Sequence, residues 1–371
     1  MTKRCISTSL LLHIVHVLIK NNMRQEKIRQ EKTGYDYYIE WKITGACNFD
    51  CDYCSPNDHL KFRPLPIDIK KVIDRLDRLN KTVLFTILGG EPFLISNFTE
   101  FIEQLTKKHY VIIDTNLSIK GQFDRFIKNV DSERVLKINF STHILERSKK
   151  GLSLEELCYV VNKFKDAGFS MRGNYVAHPN LLGRLEKDMS FFKKNKIEVY
   201  PTLFQGTFDG KEYPINDKGE RAYSKDELSL IKRYNPEAKI ENFVTLNTLC
   251  IAGTSAFLID NDIVTPCYRI KKRLGTFYRE WKRFDRLLTC PYYYCNCPFS
   301  RNFITFSDIK GQTRILDKTI KEKGLFSMAE SKKIIHTPKL YDLLDPLIGK
   351  IGIFIRVNMP DLYYHLVKFL R

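Results

Sequence analysis

The stretch that decides the fold of this protein is Gly45-Ala-Cys-Asn-Phe-Asp-Cys-Asp-Tyr-Cys54. It follows a strand-like run, Tyr37–Thr44, and places three thiols, Cys47, Cys51 and Cys54, within eight residues of chain. This spacing lets the sulfurs converge on one compact metal centre, and thiolates are the ligands of iron–sulfur clusters. A zinc site is the alternative. A closed zinc site needs a fourth protein ligand, however, whereas a cubane with three cysteines leaves one iron open.

The chain after this loop alternates between short β-branched runs and amphipathic helical runs. Apolar residues in Ile67–Leu79 and Phe98–Lys108 recur at three- and four-residue steps, which is typical of helices that pack on a sheet. The alternation predicts six βα units and a parallel sheet. The predicted strands are Tyr37–Thr44, Val83–Leu88, Tyr110–Asn116, Val135–Thr142, Ser170–Ala177 and Glu198–Phe204.

The first and fourth predicted strands carry polar residues at every second position. In the first strand, Ile39, Trp41 and Ile43 alternate with polar side chains, so the two faces of the sheet meet different surroundings. If helices cover the apolar face, the polar face must line a cavity that holds water or a ligand, because buried polar groups need partners. The fold class that satisfies both conditions is α/β, an open or partial barrel with a polar lumen.

Two motifs in these units resemble those of a known family. The spacing Cys-x3-Cys-x2-Cys, with Tyr53 before the last cysteine and a strand before the loop, resembles the defining motif of the radical S-adenosylmethionine (SAM) superfamily. The second strand ends in Gly89-Gly90-Glu91-Pro92, which is similar to the glycine-rich turn of that family. Glycines allow close backbone approach to a ligand, and a carboxylate beside backbone acceptors suits an ammonium group. A simple strand-ending turn is the plainer alternative.

The resemblance covers about Tyr37 to Gln205 and implies a partial (β/α)6 TIM barrel. It also implies a 4Fe-4S cluster on the three cysteines, SAM at the open iron, and a reducing partner such as a ferredoxin or flavodoxin. SAM would be cleaved to a 5'-deoxyadenosyl radical that abstracts hydrogen from a substrate. The suggested cofactor-binding residues are Tyr53, Gly89, Gly90, Glu91, Pro92, Thr115, Asn116, Ser141, His143, Arg172 and Asn174. Strand-end capping is the alternative role for Thr115-Asn116 and for Ser141 with His143, and no catalytic residue is assigned.

A second group of cysteines lies in the C-terminal third. Cys250 and Cys267 bracket two apolar runs and an Asn-Asp turn, which predicts a hairpin whose ends bring the two sulfurs together. A helix is predicted at Arg279–Leu288. The arrangement resembles the twitch element, a shorter relative of the SPASM domain, and implies a second, auxiliary 4Fe-4S cluster. Its preferred ligands are Cys250, Cys267, Cys295 and Cys297, with Cys290 as a replacement for one of them. A structural zinc is the alternative, and a redox disulfide is a further one.

These features divide the chain into five predicted parts. They are an N-terminal extension at 1–35, the radical SAM core at 36–206, a linker at 207–245 with a helix near Ser224–Tyr234, a twitch- or SPASM-like auxiliary domain at 246–300, and a basic helical tail at 301–371. Two cysteines, Cys5 and Cys158, stand apart from both groups. Cys158 lies in the helical stretch Leu154–Phe164 and is predicted to be a small buried residue.

Charge and hydropathy narrow the class of protein further. The formal charge of +18 favours anionic partners without naming one, and we expect no specific nucleic acid. No run approaches the roughly 20 apolar residues that span a membrane, and no small-residue cleavage site follows the apolar run within 1–22. Clustered cysteines favour a reducing cytoplasm. The final helix, Pro360–Leu370, is interpreted as packing on the domain, with membrane-surface contact as the alternative.

The leading hypothesis is an oxidoreductase-like radical SAM enzyme that acts on a small molecule or peptide, with the auxiliary cluster removing a second electron. Peptide crosslinking or epimerisation is the runner-up. A hypothesis of another class is a non-catalytic iron–sulfur or zinc module that holds nucleic acid through its basic surface. That hypothesis explains neither the cysteine triplet nor the Gly89–Pro92 turn.

Overall fold

A computed structural model of the protein describes residues 34–54, 64–216, 220–238, 240, 249–270, 272–286 and 288–289. The strands are β1 Tyr37–Thr44, β2 Val83–Gly89, β3 Tyr110–Thr115, β4 Val135–Ser141, β5 Met171–Ala177, β6 Val199–Leu203, β7 Gly206–Phe208, β8 Lys211–Tyr213, β9 Leu249–Cys250, β10 Ala256–Asp260, β11 Ile263–Thr265, β12 Gly275–Thr276 and β13 Leu288–Thr289. The helices are α1 Ile69–Leu79, α2 Phe98–Leu105, α3 Phe123–Asn129, α4 Ile144–Lys149, α5 Leu154–Asp166, α6 Leu185–Lys194 and α7 Lys225–Tyr234.

Within the described residues, the main sheet has nine strands in the order β12-β11-β10-β1-β2-β3-β4-β5-β6. From β1 to β6 the order follows the chain and every pairing is parallel. A helix joins each strand to the next, which is the arrangement of an open (βα)6 barrel. The α/β fold class is confirmed, and the six predicted strands agree with the observed ones to within one residue at each end.

One face of the sheet packs against the helices and is strongly apolar. Ile39, Trp41 and Ile138 point into this layer and are at most 6% exposed. The helices and the segments next to them contribute a block of aromatic rings whose edge-to-face contacts add to the burial energy of their large surfaces. These rings are Phe93, Phe98, Phe123, Phe126, Phe164 and Phe169. Cys158 on α5 is buried in the same layer, which confirms the prediction made for it.

The other face is polar only along part of its length, which corrects the expectation of a lumen polar throughout. Near the amino ends of the strands, Tyr38, Leu84, Ile112 and Leu136 form an apolar row. This row is covered by residues from the C-terminal part of the chain, which the pattern of a single strand does not reveal. The covering residues are Ile251, Ala252, Ala256, Cys267, Ile270 and Leu288. Polar side chains line the face closer to the carboxyl ends of the strands.

The predicted hairpin between Cys250 and Cys267 is confirmed as β10 and β11. Asn261 and Asp262, with φ of 47° and 76°, form its two-residue turn. Positive φ at both central residues matches the strand twist of a tight hairpin. The hairpin does not stand apart from the core, because β10 pairs in parallel with β1 and extends the main sheet.

The predicted helix at Arg279–Leu288 is wrong among the described residues. Residues 277–286 have no helical hydrogen bonding, and Leu288–Thr289 pairs with β9 as a short strand. Trp281 lies 5.7 Å from the Phe257 ring and 6.1 Å from the Phe277 ring. The Trp281 ring is therefore packed against the edge of the sheet. This packing favours an extended backbone over the helix that we predicted for the segment.

The predicted linker is partly structured. β7 and β8 form a small hairpin, and α7 agrees with the helix predicted near Ser224–Tyr234. Ser224 caps α7, and its side chain and Glu227 form a reciprocal capping box. Leu228 and Ile231 of α7 pack into the main core. The N-terminal extension up to residue 33, the basic tail, the helix Pro360–Leu370, and Cys5, Cys290, Cys295 and Cys297 lie outside the described residues. In the part of the chain that is described, no helix is long and apolar enough to cross a membrane.

Candidate active site

The loop that follows β1 carries the three cysteines and lies at the carboxyl end of the parallel sheet, where ligands bind in folds of this kind. Its first turn is held locally. Thr44 Oγ1 accepts a hydrogen bond from the Ala46 amide at 3.0 Å, and Cys47 Sγ accepts one from the Phe49 amide at 3.4 Å. Cys54 N donates to Cys51 O at 3.1 Å, which closes the second turn. Burial raises the pKa of Cys47 and of Cys51, and neighbouring thiols raise both pKa values further.

The Gly89-Gly90 turn packs directly on this loop. Gly90 N donates to Thr44 O and Glu91 N donates to Ala46 O, both at 2.8 Å. A Cβ on Gly90 would overlap the Ala46 carbonyl oxygen and stand 3.0 Å from Cys47 N. The close approach that these glycines permit is therefore made by the cysteine loop itself. Contact with a bound ligand stays a prediction.

The Glu91 side chain joins the ends of β2 and β3. It is fully buried, and its carboxylate accepts hydrogen bonds from Thr115 Oγ1 at 2.8 Å and from the amides of Phe93 at 3.0 Å and Asn116 at 2.6 Å. Burial raises the pKa of this carboxyl to about 7, against the lowering effect of these donors. Pro92 begins the short 3₁₀ helix that follows. The carboxylate thus orders the loops around the cysteines.

Asn116 links the end of β3 to the cysteine loop. Its Nδ2 donates to Asn48 Oδ1 at 3.0 Å and lies 3.9 Å from Cys47 Sγ. Its Oδ1 accepts from the Ser118 amide at 2.9 Å, and Ser118 Oγ in turn accepts from Asn48 Nδ2 at 2.8 Å. This closed network holds Cys47 against the end of β3. Asn48 and Ser118 had no distinguishing pattern in the sequence.

His143 is placed against Cys51 and Tyr53. Its Nδ1 lies 3.2 Å from Cys51 Sγ and 2.9 Å from the Tyr53 hydroxyl, and the two rings are nearly parallel. Burial lowers the pKa of His143 to about 4, so the ring is neutral at neutral pH. The backbone of His143 has a φ of 41° in the left-handed region, where it precedes α4. The structure therefore brings these three predicted site residues together.

Arg147 is a buried residue of the site that sequence reasoning missed. On α4, four residues after His143, it is 2% exposed. Its Nη2 donates to the Asn116 carbonyl and its Nε to the Thr142 carbonyl at 3.1 Å. Burial lowers its pKa to about 10, and the Glu91 charge opposes that shift. One guanidinium thus connects the ends of β3 and β4.

Replacing Arg147 by lysine should destabilise the protein even though the charge is kept. Lysine lacks the planar fork that serves two carbonyls at once, and a lost hydrogen bond to a buried charged group costs roughly 1.5–3 kcal/mol. Urea unfolding should show this loss. Arg125→Lys is the matched control, because Arg125 forms an exposed ion pair with Glu100 and should change stability by less than about 0.5 kcal/mol. Equal effects in the two variants would contradict the role given to Arg147.

Comparison with known proteins bears on this geometry. The model of the Radical SAM superfamily matches residues 41–191, which include the cysteine loop, the Gly89-Gly90 turn and Arg147. Residues 41–191 are a radical SAM domain. A GTP 3',8-cyclase from Staphylococcus epidermidis is 27% identical over 195 residues, 47% of this chain and 56% of that protein. The chain thus matches about half the length of that relative.

A second relative, an S-adenosylmethionine-dependent nucleotide dehydratase from Fibrobacter sp., is 24% identical over 62% of this chain and 73% of that protein. The radical SAM domain and these relatives indicate an enzyme. Among solved structures, Streptococcus suis SuiB is 17% identical over 70% of this chain and 68% of its own, with a TM-score of 0.46. Native anSMEcpe with bound AdoMet is 16% identical over 66% of this chain and 78% of its own, with a TM-score of 0.47.

The cysteine loop of the radical SAM domain carries the donor set that a 4Fe-4S cluster takes, because its three thiols, Cys47, Cys51 and Cys54, can each bind a different iron. Burial raises the pKa of Cys47 to about 11 and that of Cys51 to about 12. These thiols become thiolates at neutral pH only if a metal replaces the proton.

The remaining predicted SAM contacts of the radical SAM domain lie on β4 and β5. Ser141 pairs with Asn174 in the register of the two strands. Arg172 pairs with Asn139 two residues earlier in each strand, and therefore on the same face of the sheet. The Arg172 guanidinium lies 4.9 Å from the centre of the Tyr200 ring. Their contact with SAM stays a prediction. Burial raises the pKa of Cys54, and the charge of Lys42 on β1, a residue that was not predicted, opposes that rise.

Two acids, Glu40 on β1 and Asp114 on β3, lie on the same lumen face. Glu40 is 5% exposed and Asp114 is partly buried. Burial raises the pKa of Glu40 to about 8, opposed by a hydrogen bond from Tyr268, and Asp114 raises it further. Burial likewise raises the pKa of Asp114 to about 6. These acids were not singled out in the sequence, where each is one polar residue in an alternating strand.

Replacing Glu40 by glutamine should change how stability depends on pH. The folded pKa is about 8 and the ordinary value is 4.5, so the contribution of Glu40 is full below about pH 4.5 and is lost as the pH rises to about 8. Across that window wild type should lose up to about 1.4 kcal/mol per pH unit relative to the variant. The groups that face Glu40 are Asp114, Tyr38 and Tyr268. Parallel pH profiles in urea unfolding would contradict this account.

The described members of the second cysteine group, Cys250 and Cys267, contribute to one apolar cluster. Cys267 is buried at 8% exposure, and its Sγ accepts a hydrogen bond from the Ile270 amide at 3.4 Å. Next to it in the chain, Tyr268 donates a hydrogen bond to Glu40 Oε1. The segment that carries Cys267 therefore reaches the lumen of the radical SAM domain.

Proposed function

We propose that the protein reductively cleaves SAM and uses the resulting radical to oxidise its substrate. The observation that carries the proposal is the cysteine loop held at the carboxyl end of the barrel. Backbone bonds from Gly90 and Glu91 fix its start, and Asn116 and His143 approach two of its sulfurs. A 4Fe-4S cluster on Cys47, Cys51 and Cys54 would supply the electron that cleaves SAM to a 5'-deoxyadenosyl radical.

The chain's own residues would position SAM and exclude water. The backbone of Gly89 and Gly90 would provide hydrogen-bonding groups to SAM beside the cysteine loop. The Glu91 carboxylate already accepts hydrogen bonds from protein donors. Ser141, Arg172 and Asn174 on the lumen face are the proposed contacts farther along the barrel. A ferredoxin or flavodoxin is the proposed reducing partner, and the cytoplasm is the proposed location.

An auxiliary 4Fe-4S cluster on Cys250, Cys267 and later cysteines would accept the second electron of the oxidation. Two observations support this proposal. Cys250 and Cys267 pack in the same group of apolar side chains, and the Tyr268–Glu40 hydrogen bond links the segment that carries Cys267 to the lumen. The segment containing Cys290, Cys295 and Cys297 completes the proposed ligand set.

Anaerobic reconstitution of the full chain tests the proposal. We expect about eight irons per chain, as two cubanes require, and deoxyadenosine formation when a chemical reductant and SAM are added. Cys267→Ala should lower the iron content to about four and retain uncoupled SAM cleavage. Oxidation predicts one deoxyadenosine per product without SAM recycling. Regenerated SAM with an isomerised product would contradict the oxidative assignment.

A nucleotide is a second candidate substrate beside a small metabolite or a peptide. The curated relatives are named as a GTP 3',8-cyclase and a nucleotide dehydratase, which favours a nucleotide. Peptide crosslinking or epimerisation is the further alternative. A panel of nucleoside triphosphates, tested for product formation coupled to deoxyadenosine, separates the first candidate from the other two.

A further inference from the structure

His143 meets the cysteine loop through one ring nitrogen. Its Nδ1 lies 3.2 Å from Cys51 Sγ and 2.9 Å from the Tyr53 hydroxyl. The side chain forms no capping hydrogen bond with α4, which begins at the next residue. The backbone φ of 41° lies in the left-handed region, which is uncommon for a residue with a large side chain and recurs at functional sites. The fold therefore directs this ring at the loop and not at its own helix.

The sulfur that His143 approaches is the least exposed of the loop. Cys51 is buried at 5% exposure, whereas Cys47 and Cys54 are partly exposed. A charged sulfur at such a position is poorly solvated, so hydrogen bonds from the protein count for more there than at the surface. Burial raises the pKa of the Cys51 thiol to about 12, and a hydrogen bond with Tyr53 opposes that rise. The Tyr53 hydroxyl and the His143 ring thus both stand beside this sulfur.

These contacts decide which nitrogen of the neutral His143 ring carries the proton once Cys51 binds iron. A thiolate has no proton and can only accept hydrogen bonds. An unprotonated Nδ1 at 3.2 Å would set its lone pair close to the negative sulfur. A protonated Nδ1 donates to the sulfur, or to the Tyr53 oxygen, whose own O–H then donates to the sulfur. In either arrangement the proton is on Nδ1 and the thiolate gains a donor.

We propose that the hydrogen bond from His143, shared with Tyr53, raises the reduction potential of the cluster on the cysteine loop. The proposal rests on the function proposed above, because it concerns the same cluster. Reduction adds one negative charge to a cluster, and hydrogen bonds to the ligand sulfurs stabilise the more negative form. His143 is therefore a positioning residue that acts through Cys51. This role is separate from the contact with SAM that the sequence predicted for it.

The test is a redox titration of the anaerobically reconstituted full chain, followed by electron paramagnetic resonance without SAM. The signal of the loop cluster is the one that Cys47→Ala abolishes. His143→Phe keeps an aromatic ring and removes the donor. We expect the equilibrium constant for reduction of this cluster to fall about tenfold, which is about 59 mV for a one-electron couple. Tyr53→Phe removes only a hydroxyl and should shift the potential in the same direction, so the test survives if His143→Phe does not fold.

His143→Asn separates the hydrogen bond from packing. Asparagine tolerates the left-handed backbone and keeps an N–H donor on a short side chain. It lacks the ring whose centre lies 5.4 Å from that of Phe49 and 6.1 Å from that of Tyr53. If the donor controls the potential, His143→Asn stays closer to wild type than His143→Phe does. If the ring acts only by packing, the order of the two variants reverses and the proposal is overturned.

His109→Phe is the matched control and should leave the potential unchanged. His109 is a buried histidine whose Nδ1 accepts a hydrogen bond from the Val83 amide at 3.2 Å. It lies six residues before Thr115, about 20 Å along β3 from the end of the strand that faces the cysteine loop. A shift as large as that of His143→Phe would show that loss of any buried histidine changes the potential, which contradicts the proposal.

The proposal is also overturned if His143→Phe and Tyr53→Phe both keep the wild-type potential. Deoxyadenosine formation by wild type is measured separately. Cleavage of SAM with unchanged potentials in the variants would remove the role of His143 and leave the proposed function standing. Shifted potentials without SAM cleavage would do the reverse, and a loop that binds no cluster would remove both.

Discussion

Cys47→Ala should abolish deoxyadenosine formation. Removal of an outer-shell partner of a metal ligand typically costs 10–100-fold in affinity or activity, so removal of the ligand should cost more than about a hundredfold. The Phe49 amide and the Asn116 side chain both approach the Cys47 sulfur and hold it in position. We therefore expect that no other thiol of the loop can replace Cys47 as a ligand. The measurement is deoxyadenosine released from SAM by the anaerobically reconstituted protein, together with its iron content.

Cys158→Ala is the control for this variant. Cys158 is a buried thiol, and it lies on α5 in the apolar layer between helices and sheet. Its removal should leave both iron content and SAM cleavage close to those of wild type. If Cys47→Ala cleaves SAM at the wild-type rate, the assignment of the cysteine loop as the catalytic centre is wrong.

Gly90→Ala should have the second largest effect, because the added Cβ would overlap the Ala46 carbonyl oxygen. The obstruction is backbone, which does not rotate away as a side chain does. Overpacking of a well-packed interior costs typically 1–3 kcal/mol and occasionally more, and we expect about 3 kcal/mol here. Because the displaced backbone leads into Cys47, iron content after reconstitution should fall together with the free energy of unfolding.

Gly121→Ala provides a contrast within the same chain. A Cβ on Gly121 meets no atom within 4 Å, and its backbone is not in the left-handed region. Such a substitution reduces the entropy of the unfolded chain and should raise stability by up to about 1 kcal/mol. Opposite signs for the two glycines in urea unfolding would support the packing argument. Equal changes would show that residue 90 tolerates a side chain.

The βα periodicity was sufficient to predict the six strands and their ends, and the resemblance of the cysteine loop to a known family's motif predicted the radical SAM domain. Both signals are local, since a strand alternates every two residues and a helix repeats every three or four. The hairpin turn at Asn261-Asp262 was predicted for the same reason. The helix at 279–288 failed because Trp281 packs against the ring of Phe257 on β10 and the ring of Phe277, which follows β12.

The sequence by itself determined which residues could ligate a cluster and which faces of the strands could be buried. Only the tertiary structure decided which groups meet. Arg147 reaches Asn116 across 31 residues of chain, and Tyr268 reaches Glu40 across 228. The parallel pairing of β10 with β1 is a contact of the same kind. These contacts depend on burial and charge shared between distant segments, and no local pattern records them. Glu40 is therefore one more polar strand residue in the sequence, but a buried acid in the fold.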